Sequence, residues 1–191
     1  MKRYGVVIDT DRCIGCQTCI VGCNMDHGLP EGVYCGKLET VGSPHVYQPT
    51  GKFPNVKMRS RTLMCNHCAK PACVPKCPTG AMKKREDGIV LIDYDMCIGC
   101  GTCSNECPYK IPVVYKADEF NNEKANKCDL CCDRVVRGQA PFCVQSCPTQ
   151  ARVFGDLNDK NSTAAKSIVS GKGYQLKPEA KTDPSLYYLG K

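Results

Sequence analysis

The apolar positions of this 191-residue chain come in short bursts, broken by cysteine, proline, glycine and charge. Tyr4–Asp9 (YGVVID) and Gly88–Asp93 (GIVLID) each join a few apolar residues to a closing aspartate and read as short strands. Arg152–Phe154 and Val113–Tyr115 are briefer strand candidates, and Lys83–Gly88 reads as a polar hairpin turn. Ser162–Ser170 predicts a helix capped by Ser162. Gly171–Lys191, rich in Lys, Pro and Gly, reads as a tail laid over the surface. No stretch approaches the ~20 apolar residues of a membrane span. Met1–Tyr4 leads straight into the first strand with no signal-peptide pattern, so export or membrane attachment is expected to come through a partner.

Small elements of this kind leave open what fills the interior. Phe is scarce (4) and Trp absent, whereas cysteine reaches 18 of 191 residues. Sixteen of the cysteines fall into four groups. Cys13, Cys16, Cys19 and Cys23 follow C-x2-C-x2-C-x3-C. Cys65, Cys68, Cys73 and Cys77 follow C-x2-C-x4-C-x3-C-P. Cys97, Cys100, Cys103 and Cys107 repeat the first spacing, closed by proline. Cys128, Cys131, Cys143 and Cys147 follow C-x2-C-x11-C-x3-C-P. Residues 8–19 (IDTDRCIGCQTC) repeat at 92–103 (IDYDMCIGCGTC), and 73–81 (CVPKCPTGA) repeat at 143–151 (CVQSCPTQA). The order is therefore A-B-A-B, a duplicated unit with two motifs. The last two cysteines of each group predict a short helical turn, stopped by Pro78, Pro108 and Pro148 but by no proline at Asn24.

Three cysteines at x2 spacing converge on one side of a tight loop and suit three corners of a cubane, while the fourth points elsewhere. In bacterial two-cluster ferredoxins that fourth cysteine ligates the other cluster. Motifs must then come in pairs, and four motifs make four clusters. An all-cysteine zinc site needs neither the third x2 cysteine nor the C-x3-C-P ending. Disulfides between cysteines two or three apart close poorly. Cys35 and Cys132 are left over and read as small buried apolar residues. His67, between Cys65 and Cys68, reads as a surface histidine, and His27 and His45 show no partner pattern. Asp9, Asp11, Asp93 and Asp95 read as turn formers. The formal charge of +7 suggests an anionic partner at first sight. Four thiolate-bound clusters would add roughly −8 and bring the total near zero, so the basic excess reads as compensation for buried anions, with no nucleic-acid partner.

At these residues the sequence resembles the electron-transfer subunits of the complex iron–sulfur molybdoenzymes, the partners of dimethyl sulfoxide, polysulfide, tetrathionate and arsenate reductases. The resemblance runs through IDTDRCIGCQTC, CNHCAKPACVPKCPTGA, CIGCGTCSNECPY and KCDLCCDRVVRGQAPFCVQSCPTQARVFGDL to the tail LKPEAKTDPSLYYL. It implies an α+β fold: two pseudo-symmetric ferredoxin-like modules of short antiparallel strands, short helices and long loops around four cubanes. Residues 1–30 with 118–157 would form one module and 58–117 the other, with 31–57 an insertion for docking and 158–191 a C-terminal tail. The implied ligand sets are Cys13, Cys16, Cys19 and Cys147; Cys128, Cys131, Cys143 and Cys23; Cys65, Cys68, Cys73 and Cys107; and Cys97, Cys100, Cys103 and Cys77. All sixteen positions hold cysteine, so four [4Fe–4S] clusters are expected and no catalytic residue. The implied partners are a large molybdenum or tungsten bis-pterin subunit and a membrane quinol-oxidising subunit or soluble donor. The expected place is peripheral to the cytoplasmic membrane, on its outer side after co-export with a signal-bearing partner, the alternative being the cytoplasm. A cytosolic polyferredoxin-type subunit of a formate dehydrogenase or hydrogenase is the other functional expectation.

Overall fold

The structure is a computed structural model that describes residues 1–118 and 122–190. Residues 119–121 and Lys191, within the expected spans 118–157 and 158–191, lie outside the described residues. In chain order the elements are β1 (Tyr4–Asp9), α1 (Thr18–Asp26), β2 (Gly36–Thr40), β3 (Ser60–Met64), β4 (Met82–Lys84), β5 (Val90–Ile92) and α2 (Thr102–Glu106). There follow β6 (Val113–Lys116), β7 (Glu123–Asn126), α3 (Cys132–Val136), α4 (Phe142–Gln145), β8 (Arg152–Asp156), α5 (Thr163–Ser170) and β9 (Leu186–Leu189). Short strands and helices joined by long loops make a mixed α+β fold, as the bursts of apolar residues predict.

β1 carries Val6, Val7 and Ile8, all buried, so it is covered on both faces. It is the central strand of a three-stranded sheet ordered β8-β1-β9. β8 runs antiparallel to it and β9 parallel. The expected surface tail is thus corrected. It supplies a sheet strand, and Leu186 and Tyr188 are core residues. The chain passes from β8 on one side of β1 to β9 on the other, and α5, capped by the Ser162 hydroxyl accepting from Ala165 N–H at 3.1 Å, lies in that connection and packs on the sheet. Arg3 holds the tail in place. Its Nε donates to Ser185 Oγ at 3.0 Å, and Nη2 donates to the carbonyls of Asp183 (3.0 Å) and Pro184 (2.9 Å) and pairs with the Asp183 carboxylate at 2.9 Å. Arg3→Ala is expected to cost about 1–2 kcal/mol, the solvent-exposed share of these bonds counting for little. Thermal denaturation and protease cleavage after residue 180 check this.

Three antiparallel hairpins complete the sheets: β2–β3, β4–β5 and β6–β7. The strand expected over Gly88–Asp93 narrows to β5, because Gly88 has φ +87° and belongs to the turn. The turn itself is shorter than Lys83–Gly88, since Lys83 and Lys84 pair with Leu91 and Val90. The stretch 31–57, expected as an insertion, supplies β2, whose Leu38 faces Thr62 of β3. One register recurs: Ile8 faces Arg152 across β1–β8, and Ile92 faces Met82 across β5–β4.

Proline placement decides the helical turns. α1 holds Cys19 and Cys23 and runs on to Asp26, because Asn24 keeps the N–H that a proline would lack. α2 and α4 stop before Cys107-Pro108 and Cys147-Pro148. The second motif departs from expectation. Cys73–Cys77 form a non-helical turn, with Pro75 between them removing a backbone donor. Two apolar clusters make the core. Val6, Ile8, Ile89, Leu130 and Tyr188 anchor one, and Ala81, Met82, Val90 and Ala125 the other, joined by Cys97 and Cys103. No helix among the described residues is long and apolar enough to cross a membrane.

Candidate metal centres

β1 ends at Asp9, whose carboxylate accepts from Asp11 N–H at 2.9 Å. This Asx turn launches the first cysteine loop, and Cys13 N–H closes it onto the Asp9 carbonyl at 3.1 Å. Asp93 builds the same turn ahead of Cys97, with its carboxylate accepting from Asp95 N–H at 3.2 Å and its carbonyl from Cys97 N–H at 3.0 Å. Within each loop the x2 spacing requires a left-handed residue. Gly15 (φ +71°) and Gly99 (φ +68°) supply it, and a Cβ at Gly99 would collide with the Glu123 backbone.

Four sulfurs then meet around each of two hollows. Cys13, Cys16, Cys19 and Cys147 line one, beside Thr62 and Arg152. Cys97, Cys100, Cys103 and Cys77 line the other, beside Ala125 and Met82. The walls correspond: Ile8, Ile14 and Thr149 of the first stand where Ile92, Ile98 and Thr79 stand in the second. So do the hydrogen bonds to sulfur. Thr18 donates to Cys16 Sγ at 3.3 Å, and Thr102 Oγ1 lies 3.3 Å from Cys100 Sγ. Thr149 and Thr79 hydroxyls lie 3.7 Å from Cys147 and Cys77 Sγ. The bonds from Thr18 and Thr102 hold the Cys16 and Cys100 thiols below their ordinary range.

A third hollow gathers Cys23, Cys128 and Cys143, with Cys19 and Cys35 also on its wall. Cys131 lies close enough to Cys143 to repel its thiolate. The remaining four, Cys65, Cys68, Cys73 and Cys107, crowd one another near the second motif. Burial, reinforced by neighbouring thiolates, pushes Cys68 up to about 11 and Cys73 to about 12. All eighteen cysteines are free thiols, so no disulfide competes for them.

This donor chemistry fits iron–sulfur clusters. Buried thiols that resist ionisation because of burial and each other ionise when cations bridge them, and metal-bound thiols are deprotonated outright. Buried cations stand ready for the resulting negative charge. Arg152, 7% exposed, donates to Thr62 Oγ1 and reaches Met64 Sδ at 3.3 Å. The thiols of Cys143, Cys19 and Cys147 favour its charged form against burial. Lys127, 3% exposed, donates to the carbonyls of Val90 and, at 3.1 Å, Cys128, and its charge favours the thiolates of Cys65 and Cys73.

Several single residues sit otherwise than the spacing suggests. His67 is not on the surface but buried, its Nδ1 accepting from Val90 N–H at 3.0 Å, and burial keeps its ring neutral. His27 has a partner after all. Its Nε2 lies 3.0 Å from Asp129 Oδ1, and that carboxylate, then Cys131, raises the imidazole pKa to about 11. Asp129 lies 102 positions away, so no local pattern could reveal it. Cys35 is buried as expected, but its sulfur accepts from Asn126 Nδ2 at 3.4 Å in the third hollow rather than sitting among apolar groups alone. Cys132 is half-buried beside Asp129.

Fold and thiol geometry together define a ferredoxin-type iron–sulfur protein. A family model described as a 4Fe-4S dicluster domain matches residues 56–157, and one described as a 4Fe-4S binding domain matches residues 10–26. The chain is 39% identical, over 99% of its length and 79% of the relative's, to a Halobacterium salinarum protein named as the iron-sulfur subunit of a dimethyl sulfoxide reductase. It is 38% identical to a tetrathionate reductase subunit of Salmonella typhimurium, over 98% of this chain and 72% of that one. It is 32% identical to the arsenate respiratory reductase iron-sulfur subunit of Shewanella sp. strain ANA-3, over 98% of this chain and 96% of that one. The chain belongs to the iron–sulfur electron-transfer subunits of the complex iron–sulfur molybdoenzyme family, and its cofactors are [4Fe–4S] clusters.

Proposed function

We propose that this chain carries electrons through four [4Fe–4S] clusters between a molybdenum or tungsten bis-pterin catalytic subunit and a membrane quinol subunit or other redox partner. It is itself non-catalytic. The observation that carries the reading is the crossed gathering of thiols: Cys147 stands with the first motif and Cys77 with the third, whereas Cys143 stands with Cys23 and Cys128. The ligand sets are then Cys13, Cys16, Cys19 and Cys147; Cys128, Cys131, Cys143 and Cys23; Cys65, Cys68, Cys73 and Cys107; and Cys97, Cys100, Cys103 and Cys77. The matched registers and hollow walls support two pseudo-symmetric modules, residues 1–30 with 118–157 and residues 58–117, flanked by 31–57 and the 158–191 tail. Cys128 and Cys65 repel one another's charge, so the second and third centres are neighbours across the two modules. Cys19 also lines the hollow of Cys23, Cys128 and Cys143, and Cys73 packs against the cluster of Cys97 and Cys103, which supports reading the order as a line with the centres at Cys16 and Cys100 at its ends, where those two thiols are exposed.

Each bound cluster supplies one-electron redox chemistry at a potential the protein sets. The chain's residues do the rest. Threonine hydroxyls and the Ala151 N–H, 3.3 Å from Cys147 Sγ, hydrogen-bond the sulfurs and favour the more negative, reduced state. Arg152 and Lys127 offset buried negative charge. We place the complex at the outer face of the cytoplasmic membrane, exported with a signal-bearing partner.

Iron and acid-labile sulfide analysis tests this reading. About 16 Fe per chain are expected from four cubanes, with copurification of a much larger chain. Near-zero iron with stoichiometric zinc, or a stable lone monomer with its own small-molecule activity, would refute it.

A further inference from the structure

The two end hollows match along most of their walls, but only the first has a buried cation on its wall; Lys127, the other buried cation, lines neither and favours the thiolates of Cys65 and Cys73. Arg152 of β8 faces Ile8, and Met82 of β4 faces Ile92, at equivalent positions one residue past the repeated CPTQA and CPTGA strings. Arg152 donates to Thr62, and the equivalent of Thr62, three residues before its motif, is Ala125. Met82 and Ala125 pack together with Val90 in an apolar cluster. A guanidinium–hydroxyl pair at one end is thus an apolar pair at the other. The fold stands both ways, so the backbone does not demand the cation.

Among the described residues, no carboxylate forms an ion pair with Arg152. The groups that favour its charge are led by the thiols of Cys143 and Cys19. A buried guanidinium without an anion is costly, and a thiolate-ligated cluster is the anion that offsets it. At the far end stands Lys124, half-exposed, whose Nζ donates to the carbonyls of Tyr94 and Cys97 at 2.7 Å each, where water screens it.

We infer that Arg152 raises the reduction potential of the centre at Cys13, Cys16, Cys19 and Cys147 above that of its counterpart at Cys77, Cys97, Cys100 and Cys103, making the two ends of the relay unequal. The inference rests on the ligand sets proposed above. Its sign follows from charge: reduction adds a negative charge to the cluster, and a buried cation beside it favours that state. An electron shared between the two ends rests at the Arg152 end. The neighbouring centre at Cys143 shifts the same way.

EPR-monitored redox titration of the complex as it copurifies tests this, with the end centres told apart through Cys16→Ser and Cys100→Ser. Arg152→Met is expected to lower the midpoint of the Cys16 centre by the equivalent of about tenfold in electron partition, which is about 59 mV for one electron. The Cys100 centre should not move, and Arg152→Lys should keep most of the wild-type potential. Met82→Lys, the reciprocal change, should raise the Cys100 centre and decides the matter if Arg152→Met does not assemble. Full iron and sulfide with unmoved midpoints in these variants would overturn the inference and leave the ligand sets standing. Equal shifts in Arg152→Lys and Arg152→Met would also overturn it, because packing rather than charge would then be responsible. If Cys16→Ser altered a centre other than the one it shares with Cys147, the ligand sets themselves would fall.

Discussion

Serine at position 147 is expected to destroy or convert the centre shared with Cys13, Cys16 and Cys19, and to spare the one at Cys143, only four residues away. Neighbours in sequence part company here for a structural reason. α4 ends at Gln145, and Pro148 blocks its continuation. The chain then turns toward β1, where Asp9 N–H bonds the Ala151 carbonyl at 2.8 Å. Ala151 N–H in turn donates to Cys147 Sγ at 3.3 Å, aiming that sulfur into the first hollow. Cys143 stays with Cys23 and Cys128. Serine is a poor ligand for a soft iron corner. Iron should fall from about 16 per chain to about 15 if a [3Fe–4S] centre remains, or about 12 if the whole cluster is lost. The EPR signal that changes should be the one altered by Cys16→Ser. If Cys147→Ser instead alters the signal sensitive to Cys131→Ser, the crossed assignment is wrong. Cys77→Ser should act in the same way on the Cys97, Cys100 and Cys103 centre.

What could be read from the sequence was local or repeated. β1 and β8 flank cysteine motifs and carry compact apolar runs, so their existence follows from pattern, as do the Asx turns of Asp9 and Asp93. The repeat exposed the motifs' kinship because cysteine spacing tolerates little change. What stayed hidden depends on contacts far apart in the chain. LYYL at 186–189 follows a Lys/Pro-rich stretch and has only a single antiparallel bridge nearby, Tyr188 to Tyr174; its strand partner is β1, at the opposite end of the chain. His67 is buried because Val90 N–H comes back to it, which no spacing announces. The Arg152–Met82 difference falls just beyond the repeated strings, where similarity ends. Its meaning also required knowing that both positions are buried, at 7% and 3% exposed. The grouping of the cysteines into motifs, then, was encoded locally, while the polar groups that surround their thiols are set by tertiary packing.

Stripping iron with a chelator under reducing, anaerobic conditions is expected to unfold the chain rather than leave a folded apoprotein. The protein core alone is thin. Among the described residues, three of the four sheets are two-stranded hairpins, which are marginal in water without a packed face. The second apolar cluster counts two cysteines, Cys97 and Cys103, among its six buried members. Arg152 and Lys127 would remain buried with the anionic charge gone, and removing one partner of a buried charge pair costs about 3–5 kcal/mol. Two such losses approach the ~5–15 kcal/mol by which a whole domain is stable. With the proposed ligand sets, severed cross-links between motifs distant in sequence add to this, because Cys13 would be tied to Cys147 and Cys65 to Cys107 only while the clusters last. Circular dichroism should show most β and helix signal lost on chelation, with no cooperative thermal transition remaining, and its return only when iron and sulfide are supplied together. A chelated chain that keeps a sharp melting transition and its wild-type spectrum would mean that the apolar clusters carry the fold by themselves. The two buried cations would then need a different source of compensation, and the case for cluster charge as their partner would fail with it.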